Sequence, residues 1–101
     1  MSIRGPVEII LDKPRNLLFT FMQMREIENK TGISCMTEDF AKKMMSANVL
    51  TTIIHIGLKH EDPNLTEDQV ASRIDFGNVE SVIEKITDAM GMVKEKKVTG
   101  V

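Results

Sequence analysis

The pattern Thr-x-x-Gln occurs at Thr20-Phe21-Met22-Gln23 and again at Thr66-Glu67-Asp68-Gln69. In such a capping box the threonine hydroxyl accepts from the amide three residues on, and the glutamine side chain turns back to the threonine amide. Two otherwise orphaned helix-start donors are thereby satisfied. Phe19 with Met24, and Leu65 with Val70, occupy the positions where a hydrophobic staple closes over such a start. Each site therefore predicts the beginning of a helix.

The rest of the helix pattern follows from these anchors. From residue 20 or 21, Met24 and Ile27 give an inner face, Glu26 and Lys30 are spaced as an i,i+4 ion pair, and Gly32 supplies a left-handed stop with Ile33 folding back toward Ile27. Thr37 is the expected next cap, with Glu38 and Asp39 in the first turn and Phe40, Ala41, Met44 and Met45 on the apolar side. Leu50, Ile53, Ile54, Gly57 and Leu58 form a stripe of helical period. Ser46 caps that stripe if the chain breaks at 45 to 47, and one continuous helix is the alternative. A short helix is predicted over 67 to 75, ended by Gly77. Asn78 then caps a last helix whose inner face is Val79, Val82, Ile83, Ile86, Met90 and Val93.

Before the first cap, Val7, Ile9 and Leu11 alternate with Glu8, Ile10 and Asp12, and Asp12-Lys13-Pro14-Arg15 brings turn chemistry ahead of Leu17-Leu18-Phe19. The predicted fold is mainly α: a small helical domain of four to five helices with a short N-terminal β-strand or β-hairpin. Residues 1 to 93 make one domain and 94 to 101 a flexible tail. A length of 101 residues with 42% hydrophobic content is enough for one buried core. Aromatics are 4%, all phenylalanine, against eight methionines, so adaptable thioether side chains carry much of the packing.

A net charge of −2 from 28% charged residues offers no basic field for nucleic acid. No stretch approaches the roughly 20 apolar residues that span a bilayer, and no leader pattern opens the chain, so a protein of the cell interior without membrane contact is expected. Cys35 is the single cysteine, which excludes an internal disulfide and the paired-cysteine zinc pattern.

Candidate sites are few. Asp62-x-Asn64-x-Thr66 begins like a calcium loop, but Glu67 stands where the sharp turn needs glycine and Arg73 where a glutamate should close the site. His55 and His60 are five residues apart, about 500° around a helix, so they share no face as an i,i+4 zinc pair would. They are expected as surface or helix-end histidines. Cys35 is expected as a small buried hydrophobe. The glycines form no dinucleotide or phosphate motif. No catalytic, metal or cofactor residues are assigned, and no enzyme is expected.

Phe21-x-x-Met24-Arg-Glu-Ile-Glu-Asn-Lys-Thr-Gly32 and Leu58-Lys-His-Glu-Asp-Pro-Asn-Leu-Thr-Glu-Asp-Gln-Val70 resemble the tail assembly chaperones of long-tailed bacteriophages and prophage elements, over most of residues 7 to 90. The resemblance implies a non-enzymatic protein that binds the tape measure protein, keeps its helices soluble and helps recruit tail tube subunits. It implies work in the bacterial host cytoplasm, absence from the mature virion, and in many members a translational frameshift near the end of the short form. The A-rich codons expected for Lys94 to Lys97 are the candidate slippage site. Homo-oligomers are compatible with this role. On this reading the client surface is an apolar groove offered by residues 21 to 30 and 37 to 58, with Met22, Met44 and Met45 as its exposed members. Rival readings are a head–tail or tail-completion subunit retained in the particle, and a small helical DNA-binding regulator, against which Glu61, Asp62, Glu67 and Asp68 argue by their charge.

Overall fold

The structure, a computed structural model, describes residues 6 to 91. The expected tail from 94 and the inward Val93 lie outside the described residues. The chain runs through β1 (Val7–Ile10), β2 (Pro14–Leu17), α1 (Phe21–Thr31), α2 (Phe40–Lys43), α3 (Ala47–Leu58), α4 (Glu67–Ala71) and α5 (Val79–Met90). It is mainly helical with a short N-terminal hairpin.

In that hairpin Val7 opposes Leu17 and Ile9 opposes Arg15. Opposed residues share a face, so Ile9, Arg15 and Leu17 turn into the core while Glu8 and Ile10 face outward. The second strand starts earlier than expected, at Pro14, because the first position of a strand in an open two-stranded edge tolerates a residue with no amide donor.

Gln23 Oε1 accepts from the Thr20 amide at 2.9 Å at the start of α1. Gly32 ends α1 at φ 73°, with its N–H donating to Glu28 O at 2.8 Å. The expected Glu26–Lys30 pair does not form. Glu26 instead binds Lys59 at 2.5 Å, and Lys30 lies 4.0 Å from Glu67, so both residues tie α1 to its neighbours.

Thr37 does not cap α2. Its carbonyl accepts from Phe40 in a preceding turn, and Asp39 is the residue at the N-cap. The open question at 45 to 47 resolves as two helices. Ser46 is extended, at φ −139° and ψ 136°, and its hydroxyl accepts from Val49 N–H at 3.3 Å to start α3. α4 carries the full box, with Gln69 N donating to Thr66 Oγ1 at 3.1 Å and Thr66 N to Gln69 Oε1 at 2.9 Å. It stops at Ala71 rather than 75, because residues 72 to 78 are drawn into turns. Asn78 stands at the start of α5, yet its side chain serves that turn, accepting from Asp75 N at 2.8 Å instead of capping the helix.

α3 is the centre of the molecule. Leu50, Ile53, Ile54, Ile56, Gly57 and Leu58 are buried, which is burial round most of a helix rather than along one stripe. α1, α4 and β2 pack on it, whereas α5 lies against the hairpin through Val82, Ile86 and Ala89. Gly57 sits under the Phe19 ring and Leu17. A Cβ built there would meet Phe19 Cζ at 2.6 Å and Leu17 Cδ2 at 3.0 Å.

Candidate functional site

The joint at 58 to 75 is structural. Arg15, only 7% exposed, donates from Nε to Asp12 at 2.8 Å, from Nη2 to the same carboxylate at 3.0 Å, and from Nη1 to Asp62 at 3.4 Å. Arg73 reaches Asp12 at 3.3 Å from the far side. These hydrogen bonds, those from Arg15 foremost, hold the Asp12 carboxyl well below the usual carboxylate range. Glu61 accepts from Asn16 N at 3.1 Å and Asn16 Nδ2 at 2.8 Å, which lowers its pKa in turn. Asp62, the acid of the calcium-like motif, is therefore spent with Asp12 and Glu61 on fastening the hairpin to the α3–α4 connection. Among the described residues no group of three or more histidines, cysteines or acids is placed to hold a metal ion.

The histidines divide. His60 follows the end of α3 and is exposed, as expected, donating from Nε2 to Asn16 O at 2.8 Å. His55 is a helix-end histidine as expected, in the last turn of α3, but it is half-buried there. Its Nε2 meets the Leu65 carbonyl at 2.6 Å, which requires the proton on that nitrogen, and its buried Nδ1 has no partner among the described residues. The cause is α4: its incoming loop passes over the α3 face that sequence spacing alone leaves open. Cys35 is half-buried against α1, with Sγ 3.7 Å from Met24 O, and burial together with the nearby Glu28 charge pushes its pKa up to about 11. It is an inert thiol in that setting.

The methionine surface needs correction. Met22 and Met45 are exposed, at 66% and 56%, but Met44 is 1% exposed and part of the core. Met44 and Met45 are successive residues, about 100° apart around the turn that ends α2, and that rotation leaves one inward with Phe40 and the other toward solvent. Nor do Met22 and Met45 share a groove. Phe19 packs at Gly57 and Glu26 pairs with Lys59, which sets the first half of α1 beside the C-terminal end of α3. Met45 precedes the N-terminal end of α3, about 18 Å away along a helix of 12 residues. Phe21 stands exposed beside Met22 at the one end, and Met36 is exposed on the α1–α2 loop.

A groove does exist, with one wall on the 37 to 58 segment that the sequence reading named and the other, from Ala71 to Val79, at a place it did not assign. Ala47, Leu50 and Thr51 of α3 form one wall, and Ala71, Ile74, Asp75, Phe76 and Val79 the other, around a volume of about 420 Å³. Phe76 stands at its lip, 100% exposed. The turn that carries it is pinned: Asp75 Oδ1 accepts from Gly77 N at 2.8 Å and Asn78 N at 3.0 Å, and Asn78 Nδ2 donates to Arg73 O at 2.9 Å. One sequence signal could have found it. An aromatic residue flanked by Asp75 and Gly77-Asn78 sits inside turn chemistry that has no need of it.

Comparison with protein-family models, with curated proteins and with solved structures finds no match for this chain.

Proposed function

We propose that this protein is a tail assembly chaperone of a long-tailed bacteriophage or prophage element, which binds helical stretches of the tape measure protein and helps recruit tail tube subunits without catalysis. The observation that carries the reading is the exposure of Phe21 and Met22 on consecutive positions at the head of α1, inside the segment whose sequence resembles that family. Adjacent large apolar side chains in water are costly to a protein that has no partner for them, and methionine suits a surface that must accept varied sequences. The opposite face of the same turn is packed through Phe19 and Met24, so this pair is free to meet a client without unfolding the domain. Such a role places the protein in the bacterial host cytoplasm during assembly and outside the finished particle. No helix among the described residues is long and apolar enough to cross a membrane.

The test is co-expression with the tape measure and tail tube proteins of the same genome, followed by affinity capture and light scattering. The wild-type chain is expected to recover a tape measure protein that is insoluble alone. Phe21→Ser with Met22→Glu is expected to keep the fold, read by circular dichroism, and lose at least about tenfold of the recovery, the effect of one interface hot spot. Recovery unchanged by that variant refutes the assigned surface. Presence of the chain in purified particles replaces the chaperone with a retained structural subunit.

A further inference from the structure

We propose that the chain dimerises through the free edge of β1, which pairs antiparallel with β1 of a second copy and joins two hairpins into one four-stranded sheet. In an antiparallel ladder the N–H and C=O of one residue point to the same side, and that side alternates along the strand. Asn16 N–H donates to Glu61 at 3.1 Å and Asn16 C=O accepts from His60 at 2.8 Å, so Asn16 turns its backbone away from β1. Its partner across the ladder is Glu8. Glu8 therefore turns its own backbone away from β2, and Ile10, two residues on, does the same. Val7 and Ile9 carry the bonds that close the hairpin.

The two edges of the hairpin differ. On β2 the outer side is closed: Pro14 has no N–H to leave unpaired, Asn16 is bonded to the α3–α4 connection, and Leu18 N–H donates to Gly57 O at 3.0 Å. On β1 the N–H and C=O groups of Glu8 and Ile10 have no hydrogen-bond partner among the described residues. Edges that stay single are blunted by proline, lysine, a bulge or a covering loop. Val7–Ile10 holds no proline or lysine, its register with β2 runs without a bulge, and Ile10 is 60% exposed. Such a row of alternating open donors and acceptors fits an extended backbone, and neither a helix nor a compact ligand can match it.

β1 itself supplies that backbone. About a two-fold axis at Ile9, Glu8 of one copy stands opposite Ile10 of the other, and each of these pairs exchanges two N–H···O bonds. Every open group of both strands is then satisfied. An axis at Glu8 would set two carboxylates face to face and oppose Ile10 to Pro6, which has no N–H to give; an axis at Ile10 would oppose Glu8 to Asp12, where the chain has already turned. In the Ile9 register the exposed Ile10 side chains become diagonal neighbours on the outer face and cover each other. On the inner face α5 packs against both strands. The axis therefore sets the two α5 helices about two strand spacings apart, roughly 9–10 Å, which is the distance at which helices pack. A hairpin that is marginal with two strands gains the support of four.

Sedimentation equilibrium of the full chain from about 10 µM to about 1 mM reads the dimer, and amide hydrogen exchange across the same range reads its interface. The Ile9 amide should be protected throughout, whereas the Glu8 and Ile10 amides should gain at least about tenfold protection as the dimer fills. Ile10→Pro removes an N–H that the hairpin does not use, at the end of its strand, so it should keep the circular dichroism spectrum and weaken the dimer at least about tenfold. Glu8→Pro is the second such variant. In a Cys35→Ala background, a mixture of Glu8→Cys and Ile10→Cys should oxidise to the mixed disulfide, because a hydrogen-bonded pair sets its Cα atoms about 5.5 Å apart; neither variant alone should cross-link. The interface uses neither Phe21 nor Met22, so Phe21→Ser with Met22→Glu should leave self-association intact. A wild-type chain that stays monomeric at about 1 mM overturns the proposal. So does a dimer in which the Glu8 and Ile10 amides gain no protection, or one indifferent to both prolines. Loss of tape measure capture by Ile10→Pro in a chain that does not self-associate would overturn the dimer and give the edge to an extended client segment.

Discussion

Gly57→Ala sets two effects of known sign against each other. Alanine is favoured over glycine inside a helix by up to about 0.8–1.0 kcal/mol, and residue 57 lies in the last turn of α3. Against this, the added Cβ would stand 2.6 Å from Phe19 Cζ and 2.9 Å from Cε1, where carbon atoms prefer about 3.5–4.0 Å. The neighbours must retreat by about 1 Å, and little can move. Phe19 and Leu17 are buried, and Leu18 N–H donates to the Gly57 carbonyl itself at 3.0 Å, which ties the two backbones together. Overpacking of a well-filled core costs about 1–3 kcal/mol, and a backbone-pinned contact belongs in the upper half of that range. The net expectation is a loss of about 1–2 kcal/mol, or a fall in Tm of about 4–8 °C for each kcal/mol in a domain of this size. Urea unfolding followed by circular dichroism measures it. Phe19→Leu in the Gly57→Ala background removes the two clashing ring atoms, so the double variant should be more stable than the sum of the single losses by about 1 kcal/mol. A Gly57→Ala protein as stable as the wild type, or additive behaviour of the pair, would refute the account of why a glycine occupies the central helix.

Two further outcomes are expected. The folded-state pKa of Asp12 is depressed, chiefly by Arg15, so its ionised form contributes stability that is complete above the unfolded value of about 3.9 and is lost as pH falls through the folded value. Tm should therefore drop steeply below about pH 4, Asp12→Asn should flatten that slope, and Glu61→Gln should remove a further share; an unchanged slope in both variants would contradict the Arg15 junction. Cys35, with its pKa pushed up to about 11, should be alkylated by iodoacetamide at pH 8 about 250-fold more slowly than an exposed thiol, as its thiolate fraction is about a thousandth instead of about a quarter. Alkylation at the rate of the unfolded chain would show that the loop does not cover it.

The helix starts were legible because capping is local. Thr20, Ser46 and Thr66 announce their helices within four residues of sequence, and the structure starts α1, α3 and α4 there. Gly32 was legible for the same reason, since a left-handed stop needs no knowledge of the rest of the fold. What sequence missed is long-range. Glu26 is spaced for Lys30, but Lys59 competes for it from across the helix interface, and nothing in a helical wheel reveals the competitor. Met44 and Met45 are chemically alike, and only the direction of a one-turn helix sends one into the core and the other to solvent. Asn78 reads as a cap by type, whereas the Asp75 turn claims its side chain first. The groove was missed because its walls are distant in sequence, and a cavity is a property of two elements together.

The packing of α5 on the hairpin has a consequence for synthesis. A two-stranded hairpin is marginal by itself, and here the first strand described is covered by the last helix described. The growing chain can form α1 and α3 early and pack Leu17 over Gly57, but β1 with Ile9 waits for α5 before its inner face closes. Translation must run some seventy residues past the hairpin before the helix that covers it is complete. Until then the nascent protein exposes an apolar strand pair of its own, so a ribosome stalled ahead of α5 displays an aggregation-prone fragment instead of a smaller folded domain.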